Sequence, residues 1–102
     1  MLIKDILNKA KELLEYDKDV KIRVRMLKTT LATVSLSRRV ITVDPRVLYL
    51  DKSIILFILV HELAHLKIGT VYHTKEFWNE IEKIFGKSQI QLLEKEAIKA
   101  LA

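Results

Sequence analysis

The segment from Lys52 to Ile68 constrains the fold of this chain more than any other. An unbroken apolar run from Ile54 to Val60 is followed abruptly by the polar side chains His61, Glu62 and His65. The run is far shorter than the roughly 20 residues that span a bilayer, so it predicts a helix buried on most sides. Burying polar groups is costly unless a partner satisfies them. The pattern therefore predicts a site at the end of this helix.

A metal ion is the partner that this pattern favours. His61 and His65 are four residues apart, so on a helix their imidazoles project from one face about one turn apart. The chain has no cysteine, which leaves histidine and carboxylate as ligands. Zn²⁺ accepts such ligands and activates a water, and Glu62 is placed beside that water as a general base. A purely structural histidine pair is the alternative.

A catalytic zinc site needs a third protein ligand, and the sequence offers His73, Glu76 and Glu80. His73 follows the turn that Gly69 allows and precedes a helix start at Thr74, so it can return toward the ion. Glu76 is the main alternative, because two histidines and one glutamate form an equally ordinary zinc site. The residue that is not a ligand would then accept a hydrogen bond from a ligand imidazole.

The first half of the chain predicts a helix followed by strands. Three-to-four spacing of apolar residues from Ile3 to Glu15 is typical of an amphipathic helix. Alternation between Val20 and Val43 predicts two or three short strands, mostly antiparallel because the links are too short for crossovers. Asp44 and Pro45 predict the start of a short helix that reaches about Leu50.

The second half predicts helices only. Gly69 is expected to end the long helix in a left-handed conformation, and Thr74 to cap a helix that runs to Phe85 and stops at Gly86. Ser88 and Gln91 have the spacing of a capping box, which predicts a last amphipathic helix or tail over residues 88–102. The whole chain, 1–102, is thus expected to be one α+β domain: an N-terminal helix, a small three-stranded sheet, a zinc-binding helix, a following helix and a C-terminal helix or tail.

Charge and composition disfavour other classes of protein. The net charge of +5 is spread along the chain, and Lys28, Arg38, Arg39 and Arg46 are the one suggestion of a basic patch. Nucleic-acid binding is therefore not expected, although a nucleic-acid-associated protease and a non-catalytic metal-binding regulator remain alternatives. The N-terminus lacks the features of a signal peptide and no run spans a membrane, which predicts a cytoplasmic protein. Abundant Ile, Lys and Glu hint at a thermophilic source.

The stretches His61 to Leu66 and His73 to Trp78 resemble the minigluzincins, small zinc metallopeptidases of about this length. The catalytic domains of membrane-bound HtpX and CAAX-type metallopeptidases are similar. The resemblance covers most of the chain and implies a peptide or protein substrate. It also implies a histidine as third ligand, hence His73, and a latent form in which the C-terminal segment covers the cleft.

The C-terminal segment carries an apolar stripe that needs a cover. Three surfaces can provide it: the first helix, the zinc cleft, or the same surfaces of a second copy of the chain, which would give a homodimer by segment exchange. Plain packing into the core is the alternative. The stripe consists of Ile90, Leu93, Ala97, Ile98 and Leu101.

Other residues have weaker assignments. Phe77 and Trp78 are expected to pack the third helix against the zinc helix. The strand at 31–36 is a candidate edge for binding an extended peptide. Four side chains are equal candidates for donating a hydrogen bond to an oxyanion, namely Arg38, Arg39, Tyr49 and Tyr72.

Overall fold

The computed structural model describes residues 2–100 of the chain and has the expected α+β architecture. Its elements are α1 (Leu2–Leu14), β1 (Lys21–Val24), β2 (Ala32–Ser35), β3 (Val40–Val43), a 3₁₀ helix (Pro45–Tyr49), α2 (Lys52–Ile68), α3 (Lys75–Glu82) and α4 (Lys87–Lys99). Among these elements, none is a helix both long enough and apolar enough to cross a membrane.

The sheet is mixed, which corrects the expectation of a mostly antiparallel one. Its strand order is β1-β3-β2, with β3 in the centre. β2 pairs with β3 in antiparallel orientation, whereas β1 pairs with β3 in parallel. Consecutive strands do run in opposite directions, but β3 inserts between β1 and β2. β1 and β3 are therefore neighbours in the sheet although β2 lies between them in the sequence. A parallel pair needs a connection that brings the chain back to the same end of the sheet, and β2 is part of that connection.

Asp44 fixes the connection that carries the chain from β1 to β2. Its buried carboxylate accepts hydrogen bonds from the backbone N–H of Leu27 at 2.8 Å and of Arg46 at 2.9 Å. The Arg46 guanidinium adds an ion pair at 2.9 Å, so the pKa of Asp44 lies well below its ordinary value. Asp44 also caps the 3₁₀ helix, as predicted from the sequence. Arg46 is therefore a structural partner of Asp44.

α2 is the centre of the core. α1 packs along it, and the apolar face of α1 is buried there as its periodicity predicts. Leu59, Val60 and Leu63 of α2 are inaccessible to solvent, which confirms a helix buried on most sides. Gly69 ends α2 with a φ of 82°, the left-handed conformation expected at this position, and its N–H donates to the carbonyl of His65.

The chain after α3 differs from the expectation. α3 ends at Glu82, and the residues that follow it place the ring of Phe85 in the core, in edge contact with Phe57 at 5.6 Å. Gly86 does not end α3 in a left-handed turn; it is extended and stands at the N-cap of α4. Ser88 is consequently inside the helix and makes no cap. Ile90 and Leu93 of α4 are buried, and Leu101 of the predicted stripe lies outside the described residues.

Candidate metal centre

Three histidine rings meet at the C-terminal end of α2. Their ring centroids are 5.2 Å apart for His61 and His65, 5.1 Å for His61 and His73, and 4.9 Å for His65 and His73. One ring nitrogen of each lies within 4.8 Å of the others. Within residues 2–100 this is the one set of three such side chains close enough together to hold an ion.

The turn after α2 orients His65. Its Nδ1 donates a hydrogen bond to the carbonyl oxygen of Thr70 at 2.9 Å, a contact that the left-handed turn at Gly69 makes possible. This bond leaves Nε2 as the nitrogen that can bind a metal. Burial lowers the pKa of His65, which favours the neutral imidazole that metal binding requires.

The same turn brings His73 back over α2. Thr70 Oγ1 accepts a hydrogen bond from the backbone N–H of Tyr72, and Thr74 Oγ1 caps α3 by accepting from the N–H of Phe77 at 3.2 Å. The cap at Thr74 was predicted from the sequence. His73 thus lies between a closed turn and a helix start, and its ring reaches the other two histidines although the residue is exposed.

The two carboxylates considered as third ligands lie elsewhere. Glu76 is exposed and is not part of the cluster. Glu80 is buried and forms ion pairs with Lys67 and Lys83, whose hydrogen bonds hold its pKa below the usual range. Neither carboxylate is a hydrogen-bond partner of a cluster imidazole in the described structure.

Phe77 and Trp78 do more than join two helices. Phe77, inaccessible to solvent, stacks on His65 at 4.3 Å and meets His61 at 5.1 Å and His73 at 5.0 Å. Trp78 stacks on His73 with an angle of 28° between the rings. The expected packing role is therefore observed, and these rings also form the apolar support behind the three imidazoles.

Glu62 lies beside the cluster at the wall of a cleft. Its Oε1 is 3.4 Å from Nδ1 of His61, and its side chain is largely buried. The cleft has a volume of about 370 Å³ and is lined by residues at the start of β2, on α2 and on α4. Its lining comprises Thr30, Leu31, Ala32, Phe57, Ile58, His61, Glu62, Glu94, Ala97 and Ile98.

The oxyanion-donor candidates are not among the residues that line this cleft. Tyr49 and Tyr72 are 89% and 73% exposed, and Arg38 and Arg39 lie exposed between β2 and β3. Sequence reasoning missed Glu94, which reaches the cleft from α4. No local pattern marked it, because its position depends on how α4 packs against α2.

The donor set fits a catalytic divalent metal. Three imidazoles converge, one of them with its second nitrogen held by a backbone carbonyl, and a carboxylate stands beside them at an open cleft. α2 carries the sequence His-Glu-x-x-His and packs on a small sheet, and the third histidine lies just before α3. This arrangement is that of a metallopeptidase domain.

Comparison with known proteins agrees with this class. The YgjP-like metallopeptidase domain family matches residues 2–93, and the chain belongs to this family. A relative of uncharacterised function from Aquifex aeolicus is 36% identical over 86 residues, covering 83% of this chain and 77% of its own. Another from Methanocaldococcus jannaschii is 38% identical over 76 residues, covering 74% and 68%.

Two solved structures are closely similar. The metallopeptidase zymogen of Pyrococcus abyssi abylysin has a TM-score of 0.93 and 42% identity, with 97% of this chain and 94% of that chain covered. The zymogen of Methanocaldococcus jannaschii jannalysin has a TM-score of 0.90 and 28% identity, with coverage of 98% and 90%. The resemblance to minigluzincins is thereby confirmed, and the nucleic-acid and non-catalytic alternatives are not favoured.

Proposed function

We propose that this metallopeptidase is a zinc-dependent endopeptidase in which His61, His65 and His73 hold the ion and Glu62 is the general base. The observation that supports this most directly is the convergence of three imidazoles beside a carboxylate at the wall of a cleft. Three nitrogen ligands with one open position form an ordinary catalytic zinc site.

The chemistry follows from the placement of these groups. A zinc ion bound there would polarise the scissile carbonyl and lower the pKa of a water. Glu62 accepts the proton of the attacking water and then passes it to the leaving amine. The Thr70 carbonyl keeps His65 in one tautomer and orientation. Phe77 and Trp78 pack against the imidazoles and support them with apolar contacts.

The cleft suits an extended peptide or protein segment. β2 is an edge strand of the sheet, and its first residue, Ala32, lines the cleft together with the two residues before it and with residues of α4. An extended substrate can add to such an edge by main-chain hydrogen bonds, which would place its scissile bond beside His61 and Glu62.

We further propose that α4 keeps the protein latent. Glu94, Ala97 and Ile98 form one wall of the cleft, while Ile90 and Leu93 anchor the helix in the core. The two similar solved structures are both of zymogens. A helix in this position narrows the path of a substrate to Glu62. Exchange of α4 between two copies would preserve the same contacts, so a homodimer remains a prediction to be checked by solution mass.

The proposed function is tested by comparing the unsubstituted protein with Glu62→Gln. The amide fills the same space but cannot accept a proton, so we expect one zinc per chain in both proteins and nearly complete loss of casein cleavage in the variant. Elemental analysis and a protease assay measure the two properties separately. Equal cleavage by Glu62→Gln would remove the general-base role, and absence of zinc from the unsubstituted protein would remove the metal assignment. A cytoplasmic location and a thermophilic source stay predictions from sequence.

A further inference from the structure

His73 depends on the docking of α3 for its position. The residue belongs to no helix or strand and lies between the turn that ends α2 and the cap of α3 at Thr74. Its distance to the other imidazoles is therefore set by where α3 sits on α2. Phe77 supplies apolar contact between these helices, but such contact is non-directional.

A polar link joins the same two helices. Lys67, in the last turn of α2, forms an ion pair with Oε1 of Glu80 on α3. The Lys67 Nζ also donates a hydrogen bond of 2.7 Å to the carbonyl of Leu14 at the end of α1. The other carboxylate oxygen of Glu80 accepts from Lys83 at 2.6 Å. Lys67 therefore connects three helices through one ammonium group.

Stability alone is a weak reason for this arrangement. Glu80 is only 8% exposed, and a carboxylate taken out of water loses hydration that its partners must replace. Well-packed apolar residues often serve stability as well as a buried ion pair does. A charged pair differs because its contact is directional: the ammonium of Lys67 on α2 holds Oε1 of Glu80 on α3, and this contact limits sliding of α3 along α2.

The link is also close to the metal centre. Lys67 lies two residues after His65, and Glu80 lies on the second turn of α3, whose cap directly follows His73. A shift of α3 would move His73 while leaving His61 and His65 on α2. The affected group is thus one ligand out of three.

We infer that Lys67 and Glu80 are positioning residues that hold His73 at the metal centre. This inference rests on the proposed assignment of His73 as a ligand. It gives the ion pair between α2 and α3 a role in zinc affinity that an ordinary stabilising contact would not have.

The chain offers a matched control in Lys83. This lysine contacts the same carboxylate, but it lies just after α3, three residues from Glu80, so it does not tie α3 to α2. The experiment compares Lys67→Met and Glu80→Gln with Lys83→Met. Zinc dissociation constants are measured by competition with a chelator, and the stability of each metal-free protein is measured by urea unfolding.

We expect Lys67→Met and Glu80→Gln to weaken zinc binding by about 10–100-fold, the range for groups that orient metal ligands, and Lys83→Met by less than about 3-fold. The same substitutions are then made in a His73→Ala background. If the link acts through His73, Lys67→Met changes zinc affinity little there, because the two losses are not additive. A loss of zinc affinity that arises elsewhere in the fold, and not through His73, would be the same in both backgrounds.

Each result has a distinct meaning. Unchanged zinc affinity in Lys67→Met or in Glu80→Gln would overturn the inference, as would equal losses with and without His73. If Lys67→Met does not fold, the near-isosteric Glu80→Gln decides alone. Absence of zinc binding by the unsubstituted protein would instead contradict the proposed function.

Discussion

Leu93 provides a direct test of the latent role of α4. Its side chain is 6% exposed and anchors α4 in the core, whereas the adjacent Leu92 is 59% exposed. Leu93→Ala should loosen α4 from α2 without altering the residues that line the cleft. Leu92→Ala makes the same chemical change on the same helix and serves as the control.

The size of the effect can be worked out from this burial. Leu→Ala substitutions in cores cost about 2–5 kcal/mol, and a helix packed on one side near a chain terminus is expected at the low end, about 2–3 kcal/mol. Since about 1.4 kcal/mol is a tenfold change in an equilibrium, the undocked population of α4 should rise by about 30–150-fold. A domain of this size has roughly 5–15 kcal/mol of stability, so the rest of the chain should stay folded.

Two measurements on the zinc-loaded protein test the prediction. Hydrogen exchange should show faster exchange of the α4 amides in Leu93→Ala than in Leu92→Ala, with α2 protected in both. Casein cleavage should increase in Leu93→Ala by up to the same factor. Faster exchange in α4 without any gain in cleavage would refute the reasoning that α4 restricts the cleft, and would make α4 a plain part of the core.

Three further predictions follow from the site and its supports. His73→Ala should lower zinc affinity by orders of magnitude, while exposed Glu76→Ala should leave it nearly unchanged; the reverse order in a chelator competition would make Glu76 the ligand. The pKa of Asp44 is held below its ordinary 3.8, so its ion pair stabilises the fold above that pH. The stability deficit of Asp44→Asn should therefore shrink as pH falls below 3.8, and a deficit independent of pH would contradict this. Gly69→Ala should cost about 1–2 kcal/mol in thermal unfolding because φ is positive there, and a smaller loss would show that the turn adapts.

The sequence predicts most helices and the candidate ligands because their signals are local. The apolar run from Ile54 to Val60 and the spacing of His61 and His65 depend only on the 3.6-residue helical repeat. Gly69 and Thr74 are end signals that need no distant partner, and both occur in the structure as predicted. Proximity to these signals also made His73 the favoured third ligand, and its ring does reach the cluster.

Tertiary structure decides what depends on partners far apart in the chain. The place of β3 between β1 and β2 follows from which edges meet, so alternation alone did not reveal the parallel pair. α3 ends at Glu82, before the end expected at Gly86, and the residues after it allow Phe85 to pack against Phe57 in the core.

Polar partners across the fold are likewise invisible in the sequence. In the sequence, Lys67 has the features of a solvated lysine near the end of a helix. In the structure, it donates a hydrogen bond to the carbonyl of Leu14, 53 residues before it, and forms an ion pair with Glu80, 13 residues after it. In the sequence, Glu94 is one charged residue on an amphipathic helix, but in the structure it lines the cleft together with Glu62. Helical periodicity predicts which face of a helix is apolar, but the residues that each face contacts are determined only by tertiary packing.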